Sequence, residues 1–486
     1  MRRTFMINRL NYWRFAGVIY CALLASPAYA FISDDRWTAT ATNASTGAGG
    51  TPITLTWSFP PNGASVGGVN DLLSFLDANW GVGPGGGDLT QRPWFPIFQQ
   101  SYDRIAELSG VTFVYEPHDN GVPFSNSASG RGVLGTRGDV RLGGYPLPSS
   151  SNVLARNYFP NYGEMMINTN QAAFFKITAN GYRAFRNTLM HETMHGLGVS
   201  HVESSDARIL IEPFISTAFD GPQLDDVLAI QRLYGDAYEK KGGNDAVGNA
   251  MPLGAVTPSQ PRVMGSLGDS KDVGPDQSDF MSIDDDSDVD YFSFTLGATL
   301  DVDLTLTPKG ASYLVGPENG VEALFDARVQ SNLALSLFTA NGTTLLGSSD
   351  AAGPGGNESI SQQLAAGTYF ARVTGAQDKI QLYELAINAT AIPSLEFAAA
   401  DFNLDGQVDG DDLAMWSSGS LSQSTGDAND DQVVDGTDFL AWQRQVTPPG
   451  GTGSMGSPVP ESTGAMLSLA ATLAYLAYGR AALSER

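Results

Sequence analysis

Histidines concentrated between residues 191 and 201 limit the possible folds of this chain more than any other part of its sequence. The segment reads HETMHGLGVSH and holds three of the four histidines in 486 residues. His191 and His195 are one helical turn apart, so they lie on one face of a helix and can converge on one cation. Gly198 can adopt a positive φ at little cost, which ends the helix and returns His201 as a third ligand.

Three histidines leave the fourth position of a tetrahedral zinc open for water, which is typical of a catalytic zinc site. Glu192 stands beside the first ligand and can reach a zinc-activated water without binding the metal, so we predict it as the general base. Two other interpretations remain: histidines satisfied within a core, and a storage or structural metal site. A storage or structural site would leave Glu192 without a role.

The net negative charge of the chain argues against one class of binding partner, nucleic acids. The chain has 27 Lys+Arg against 52 Asp+Glu, a formal net charge of −25. Phosphate binding needs a surplus of basic residues, so we expect no nucleic-acid partner. The single cysteine, Cys21, lies in an N-terminal targeting segment, so the mature protein is expected to have no disulfide.

The N-terminal 30 residues have the pattern of a secretory signal. Four arginines precede an apolar run over 15–24, and Ala28-Tyr29-Ala30 fits a cleavage site. A short buried helix is the alternative. We therefore expect export, with the protein secreted or attached to the bacterial cell envelope or extracellular matrix.

The C-terminal segment 462–486 carries an uncharged apolar run from Thr463 to Gly479 and ends on Arg486. Val459-Pro460-Glu461-Ser462 precedes it and resembles the bacterial Pro-Glu-Pro sorting tail, although Ser462 stands where that motif has proline. The resemblance implies an exosortase-type sorting enzyme as a partner. A membrane anchor or a buried helix is the alternative, and membrane contact is expected only through this tail.

Between the ends the chain divides by composition. We predict a mixed α+β domain over 31–240, a Gly/Pro/Asn-rich linker over 241–262, an all-β sandwich over 263–393, a small α domain over 394–447, and a linker over 448–461. The sandwich prediction rests on period-two alternation and on the hairpin signal Asn341-Gly342. The alternating apolar positions include Leu300, Val302, Leu304, Leu306, Leu333, Leu335 and Leu337.

Two segments of the predicted sandwich, 288–294 and 367–373, resemble the bacterial pre-peptidase C-terminal domain, which accompanies secreted peptidases. The acidic segment 284–290 is either a calcium-holding loop or a solvated turn.

The histidine motif resembles that of the metzincin zinc peptidases. Segments 138–144, 153–160, 164–168 and 224–235 resemble matrixins, the matrix-metalloproteinase-like group, and the likeness covers roughly 32–237. It implies a mixed twisted sheet with an active-site helix, and an extended peptide substrate that pairs with an edge strand. The implied substrate contacts are Val153, Leu154, Ala155 and Pro213.

The chain departs from the matrixin pattern in three ways. Ile211 stands where the family has a methionine beneath the zinc. Only His118 remains for the second, structural zinc of animal relatives, so we predict no such site and place His118 in a surface loop. No inhibitory cysteine precedes the domain.

Residues 401–412 and 427–438 form an acidic repeat with oxygen-bearing side chains at calcium-loop positions. The first loop has Gly406 at its sharp turn, whereas the second has Gln432 there and is expected to be more strained. The repeat resembles a dockerin, which implies structural Ca²⁺ and a cohesin-like partner; an acidic disordered linker is the alternative. Gln407 and Val433 would contribute backbone carbonyls. The predicted ligands are Asp401, Asn403, Asp405, Gln407, Asp409, Asp412, Asp427, Asn429, Asp431, Val433, Asp435 and Asp438.

The sequence therefore predicts a secreted or envelope-attached zinc endopeptidase that cuts extracellular proteins with a zinc-activated water and Glu192 as base. The alternative is a surface binding or scaffold protein with a degenerate peptidase domain.

Overall fold

The structure is a computed structural model that describes residues 31–33, 35–124, 130–148, 153–240, 242–392, 399–419 and 426–446. The predicted signal segment, the second linker and the sorting tail lie outside these residues. The chain divides into two compact units at residue 392. None of the helices in the described ranges combines the length and the apolar character that crossing a membrane requires.

A five-stranded sheet forms the frame of the N-terminal part. Its strands are β2 (Ile53–Ser58), β3 (Val111–Tyr115), β4 (Val140–Tyr145), β5 (Ala155–Asn157) and β6 (Glu164–Asn168), in the order β3-β2-β4-β6-β5. All pairs are parallel except β5 with β6, so β5 is an antiparallel outermost strand. This confirms the mixed sheet and the edge strand that the sequence predicted.

The helices cover this sheet. They are α1 (Leu72–Trp80), α2 (Phe95–Glu107), α3 (Ala172–Phe175), α4 (Arg183–Gly196) and α5 (Leu224–Tyr234). Two short strand pairings flank them: β1 (Ile32–Ser33) with β7 (Val199–Ser200), and β8 (Val202–Glu203) with a later strand. Helix α5 begins with a capping box between Gln223 and Asp226, and its apolar residues at helical spacing are buried, as the sequence predicted.

The C-terminal part of the first unit is a β-sandwich. Its strands are β9 (Met251–Ala255), β10 (Arg262–Met264), β11 (Ser282–Ile283), β12 (Val289–Leu296), β13 (Leu300–Lys309), β14 (Ser312–Pro317), β15 (Ala323–Asp326), β16 (Leu333–Thr339), β17 (Leu345–Ser349), β18 (Glu358–Leu364), β19 (Gly367–Gly375) and β20 (Gln381–Ala391). One sheet has the order β10-β20-β13-β18 with β11 also on β20, and the other has β17-β16-β19-β12-β9. Leu300, Val302, Leu304 and Leu306 all face the sandwich core, as the alternation predicted.

The predicted linker over 241–262 is wrong in its second half. Met251–Ala255 forms strand β9, which pairs in parallel with β12 at the edge of the second sheet. Pro252 and Gly254 make this strand difficult to recognise in the sequence. An edge strand tolerates the proline, because one side of the strand needs no amide for pairing.

The hairpin of β14 and β15 packs outside the sandwich, against the N-terminal part of the unit. Strand β14 pairs with β8, so a three-stranded sheet β15-β14-β8 connects the two parts. The sequence assigned the whole of 263–393 to one sandwich. Its alternation predicts a strand but does not say which sheet the strand joins.

The second unit contains helix α6 (Gly410–Ser417) and helix α7 (Gly436–Gln445), each preceded by one acidic loop. Phe439 stacks between Trp416 and Trp442, with ring centroids 5.8 and 5.7 Å apart. These aromatic side chains pack within their own small unit.

Candidate metal centre and substrate cleft

The three histidines of the motif meet at one point. The Nε2 atom of His201 lies 3.1 Å from Nε2 of His195 and 3.3 Å from Nε2 of His191. Helix α4 supplies the first two rings, and the chain after the helix supplies the third. Their ligand atoms all lie within 4.8 Å of one another, so the group could hold one metal ion.

Each of these rings has an oxygen partner on its other nitrogen. Nδ1 lies 2.8 Å from the Leu210 carbonyl in His191, 2.8 Å from the Val199 carbonyl in His195, and 2.9 Å from Oε2 of Glu318 in His201. A carbonyl or carboxylate oxygen accepts, so each Nδ1 carries the hydrogen and each Nε2 presents its lone pair inward. This set of neutral imidazole donors fits zinc.

Gly198 produces the chain reversal that brings His201 back. Its φ is +104°, and a Cβ there would overlap the carbonyl oxygen of Asp35. The last carbonyls of α4 are satisfied across the fold, because Trp37 Nε1 donates to Gly196 at 2.8 Å and the Tyr234 hydroxyl donates to Leu197 at 2.8 Å. The sequence predicted this glycine's role but not these partners.

Glu192 lies at the floor of the cleft beside the histidines, with 7% of its surface exposed. Burial raises the pKa of its carboxyl to about 8, and the nearby positive charge of Arg156 acts in the opposite direction. Asn157 Nδ2 donates to the backbone carbonyl of Glu192 at 2.6 Å and so joins the edge strand to the active-site helix. Burial, followed by the charge of His195, lowers the pKa of His191 to about 3.

An open cleft of about 1150 Å³ runs over the histidines. All four predicted substrate contacts line it: Val153, Leu154 and Ala155 at or just before β5, and Pro213 from the chain after His201. Pro317 and Glu318 of the β14–β15 hairpin also line it. An extended peptide fits a cleft bordered by an outermost strand.

The turn beneath the histidines is held by helix α5. Ile211, at the family's methionine position, is fully buried. Asp226 accepts hydrogen bonds from the amides of Leu210 and Ile211 at 2.7 and 3.1 Å, which fixes the carbonyl that orients His191. This role of Asp226 was not predicted from the sequence, although an acidic residue in the first turn of a helix is a usable signal for a capping role.

His118 lies away from the centre. Its side chain is 68% exposed and its Nδ1 lies 2.9 Å from Glu116. This is the surface position that the sequence predicted.

A second group of acidic residues lies at the junction of the two parts of the first unit. Ligand atoms of Glu239, Asp245 and Asp288 lie within 4.8 Å of one another. The sequence pointed to the loop 284–290, of which only Asp288 belongs to this group; Glu239 and Asp245 come from the segment before the sandwich.

The two acidic loops of the second unit adopt turn conformations. Asp401 Oδ2 accepts from the amide of Gly406 at 2.9 Å, and Asp427 Oδ2 accepts from that of Gln432 at 2.6 Å. Gln432 has a φ of +70°, the strained position that the sequence predicted. Within the described range, their carboxylates are not among the groups gathered closely enough for a metal. Calcium binding by these loops stays a prediction.

Comparisons with known proteins agree with the two parts of the first unit. The matrixin family model matches residues 137–235, and the model of the bacterial pre-peptidase C-terminal domain matches residues 288–375. One similar solved structure is the pre-peptidase C-terminal domain of a collagenase from Bacillus anthracis, 14% identical over 29% of this chain and 94% of that chain, with a TM-score of 0.17. A search of curated proteins gives no match. The chain therefore contains a matrixin domain, which supports a zinc metallopeptidase, together with a pre-peptidase C-terminal domain.

Proposed function

We propose that this protein is an exported zinc endopeptidase that hydrolyses peptide bonds of extracellular proteins, either secreted or attached to the cell envelope. The observation that carries the proposal is the convergence of three Nε2 atoms beside a buried carboxylate at the floor of an open cleft. His191, His195 and His201 would hold the zinc. When bound, zinc supplies a Lewis acid that lowers the pKa of water and polarises a carbonyl.

The residues of the chain then have separate tasks. Glu192 takes a proton from the attacking water in its carboxylate form, which the positive charge of a bound metal ion would favour over the protonated form, and passes that proton to the leaving amine. Strand β5, at the rim of the cleft, offers backbone groups to an extended substrate, so binding is expected to depend little on substrate side chains.

Replacement of Glu192 tests the proposal. We expect Glu192→Ala to bind zinc as the wild type does but to lose peptide cleavage by about 10²–10⁴-fold or more, because the general base is gone. The measurements are zinc content and the cleavage rate of a quenched peptide or casein. A variant that keeps the full cleavage rate contradicts the role given to Glu192.

Two histidine variants, one at a predicted zinc ligand and one outside the metal centre, serve as a matched pair. His195→Ala is expected to lose zinc and activity together, whereas His118→Ala changes an exposed histidine outside the centre and should keep both. A correctly folded, zinc-loaded wild type that cleaves no protein or peptide would instead favour the binding or scaffold interpretation.

The dockerin-like repeat supports a further element of the proposal, attachment through a cohesin-like module with Ca²⁺ as the structural ion. A sorting enzyme of the exosortase type would act on the C-terminal tail. These partners rest on sequence resemblance alone.

A further inference from the structure

The β14–β15 hairpin belongs to the sandwich by sequence and to the peptidase domain by packing. It lies between strands β13 and β16 along the chain. Its apolar side chains Tyr313, Val315 and Phe325 are nevertheless buried in the core cluster that contains the helices of the peptidase domain, not in the sandwich core. Removal of this apolar surface from water therefore holds the hairpin against the peptidase domain.

Polar contacts fix the hairpin in register. Gly316 and Pro317 pair with Glu203 and Val202 of strand β8, which directly follows His201. The Tyr313 hydroxyl donates to Asp225 Oδ1 at 2.8 Å, and both residues are buried. A strand pairing and a buried hydrogen bond together leave the hairpin little freedom to slide along the domain.

The tip of the hairpin points at the metal centre. A turn closes it, with the Gly320 amide donating to the Pro317 carbonyl at 2.7 Å and Asn319 at a φ of +56°. This turn presents Glu318, whose Oε2 lies 2.9 Å from Nδ1 of His201. The carboxylate is 45% exposed and the imidazole 27%, so the contact lies at the rim of the cleft.

Of the three histidines, His201 has the greatest need of a carboxylate partner that orients its ring. His191 and His195 are held on a buried helix, and backbone carbonyls of the peptidase domain orient their rings. His201 lies after the helix has ended, and its Nδ1 contacts a side chain supplied by another part of the chain. A carboxylate on this nitrogen fixes the tautomer and makes the ligating nitrogen more basic.

We propose that Glu318 is a positioning residue for His201, so that the pre-peptidase C-terminal domain completes the metal centre of the matrixin domain. The proposal rests on the zinc site of the proposed function. It gives the accessory domain a part in metal binding that depends on one carboxylate, in addition to any stabilising effect of the interface.

The test compares three variants of the full chain by zinc affinity, measured by competition with a chromophoric chelator. Glu318→Ala is expected to weaken zinc binding by about 10–100-fold, as loss of a ligand's hydrogen-bond partner typically does. Glu318→Gln keeps an accepting oxygen without the charge, so it should lose less. Glu322→Ala is the matched control, because Glu322 lies on the same hairpin, accepts from Ser205 Oγ at 2.5 Å and does not contact a histidine ligand.

A spectroscopic measurement distinguishes a change in the orientation of His201 from a loss of contact between the hairpin and the peptidase domain. With Co²⁺ in place of zinc, Glu318→Ala should shift the visible absorption bands and Glu322→Ala should not. Circular dichroism verifies that each variant is folded. The proposal is overturned if Glu318→Ala binds zinc as tightly as the wild type, or if Glu322→Ala weakens binding as much.

The outcomes also separate this proposal from the proposed function. Wild type that binds zinc and cleaves nothing contradicts the peptidase, while the affinities of the variants still decide the role of Glu318. Cleavage by wild type together with unchanged affinity in Glu318→Ala contradicts the role of Glu318 alone.

Discussion

Gly198 is the single residue on which the return of the third histidine depends. It needs a positive φ, and a side chain there would overlap the backbone of Asp35. We expect Gly198→Ala to lower the free energy of unfolding by about 1–2 kcal/mol through the left-handed backbone and by a further amount of about 1–3 kcal/mol through overpacking. Zinc affinity should fall as well, because His201 is displaced.

Gly63 offers a matched control for this prediction. It also has a positive φ, +88°, but a Cβ there would meet nothing within 4 Å. Gly63→Ala should therefore show only the cost of the backbone conformation and leave zinc affinity unchanged. Denaturant unfolding and chelator competition measure both quantities; equal losses in the two variants would contradict the steric argument.

Among the elements, the two acidic loops differ in the residue at their sharp turn. Gln432 has a φ of +70° where the first loop has Gly406 at +88°. We expect Gln432→Gly to relieve about 1 kcal/mol of backbone strain and to tighten Ca²⁺ binding by the second loop. Calorimetric titration of the full chain with Ca²⁺ checks this.

The reverse substitution is the control for the loops. Gly406→Gln should weaken Ca²⁺ binding by the first loop to a similar degree. If neither variant changes the Ca²⁺ isotherm, or if no Ca²⁺ binds at all, the calcium interpretation of this repeat fails.

Strands and helices with a regular apolar period were predictable from the sequence. Strands that form only by pairing with a neighbouring strand were less predictable. Strand β13 alternates apolar and polar residues, and its buried face follows that alternation. Strand β9 contains Pro252 and Gly254 and was interpreted as linker, because only its pairing with β12 makes it a strand. The local sequence of an edge strand does not show which distant strand will pair with its backbone amides and carbonyls.

At the scale of the whole molecule, the two parts of the first unit share a core. Val273, Phe280 and Leu382 from beyond residue 240 are buried with the peptidase helices, as are the apolar residues of the β14–β15 hairpin. We therefore expect a fragment of residues 31–240 to expose apolar surface, bind a hydrophobic dye and unfold at a lower temperature than a fragment of residues 31–392. A fragment of 31–240 as stable as the longer one would contradict a shared core.

The stability of the fold should also depend on pH, because acidic residues at the junction of the two parts of the first unit have raised pKa values. Burial, followed by repulsion between neighbouring carboxylates, raises the pKa of Glu239 to about 10 and of Asp284 to about 8. The folded state then binds more protons than the unfolded state, so stability falls as pH rises through these values. Between pH 6.5 and 8.5 we expect the melting temperature in chelator to decrease.

Most of the opposite contribution of His191 lies below that window. Its pKa is lowered from 6.5 to about 3, so its contribution to stability is present above pH 6.5 and is lost as pH falls through 6.5 towards 3. Asp288, whose pKa burial raises to about 7, provides the matched variant. Asp288→Asn should flatten the pH dependence, and a melting temperature that rises from pH 6.5 to 8.5 would contradict the assignment.

Spacing along the chain is enough to predict the local parts of the site. His191 and His195 one turn apart, Glu192 beside them and the left-handed Gly198 are local properties of a helix and its end. The cleft-lining segment that starts at Val153 was also predictable, through its resemblance to a known edge strand.

The distant groups that complete the site became identifiable from the folded structure. Glu318 is 117 positions from His201, and no periodicity relates the two. Asp226 and the β14–β15 hairpin likewise act through packing between separate elements. The physical reason is that burial and hydrogen bonding depend on distance in space, which the spacing of residues within one segment does not specify.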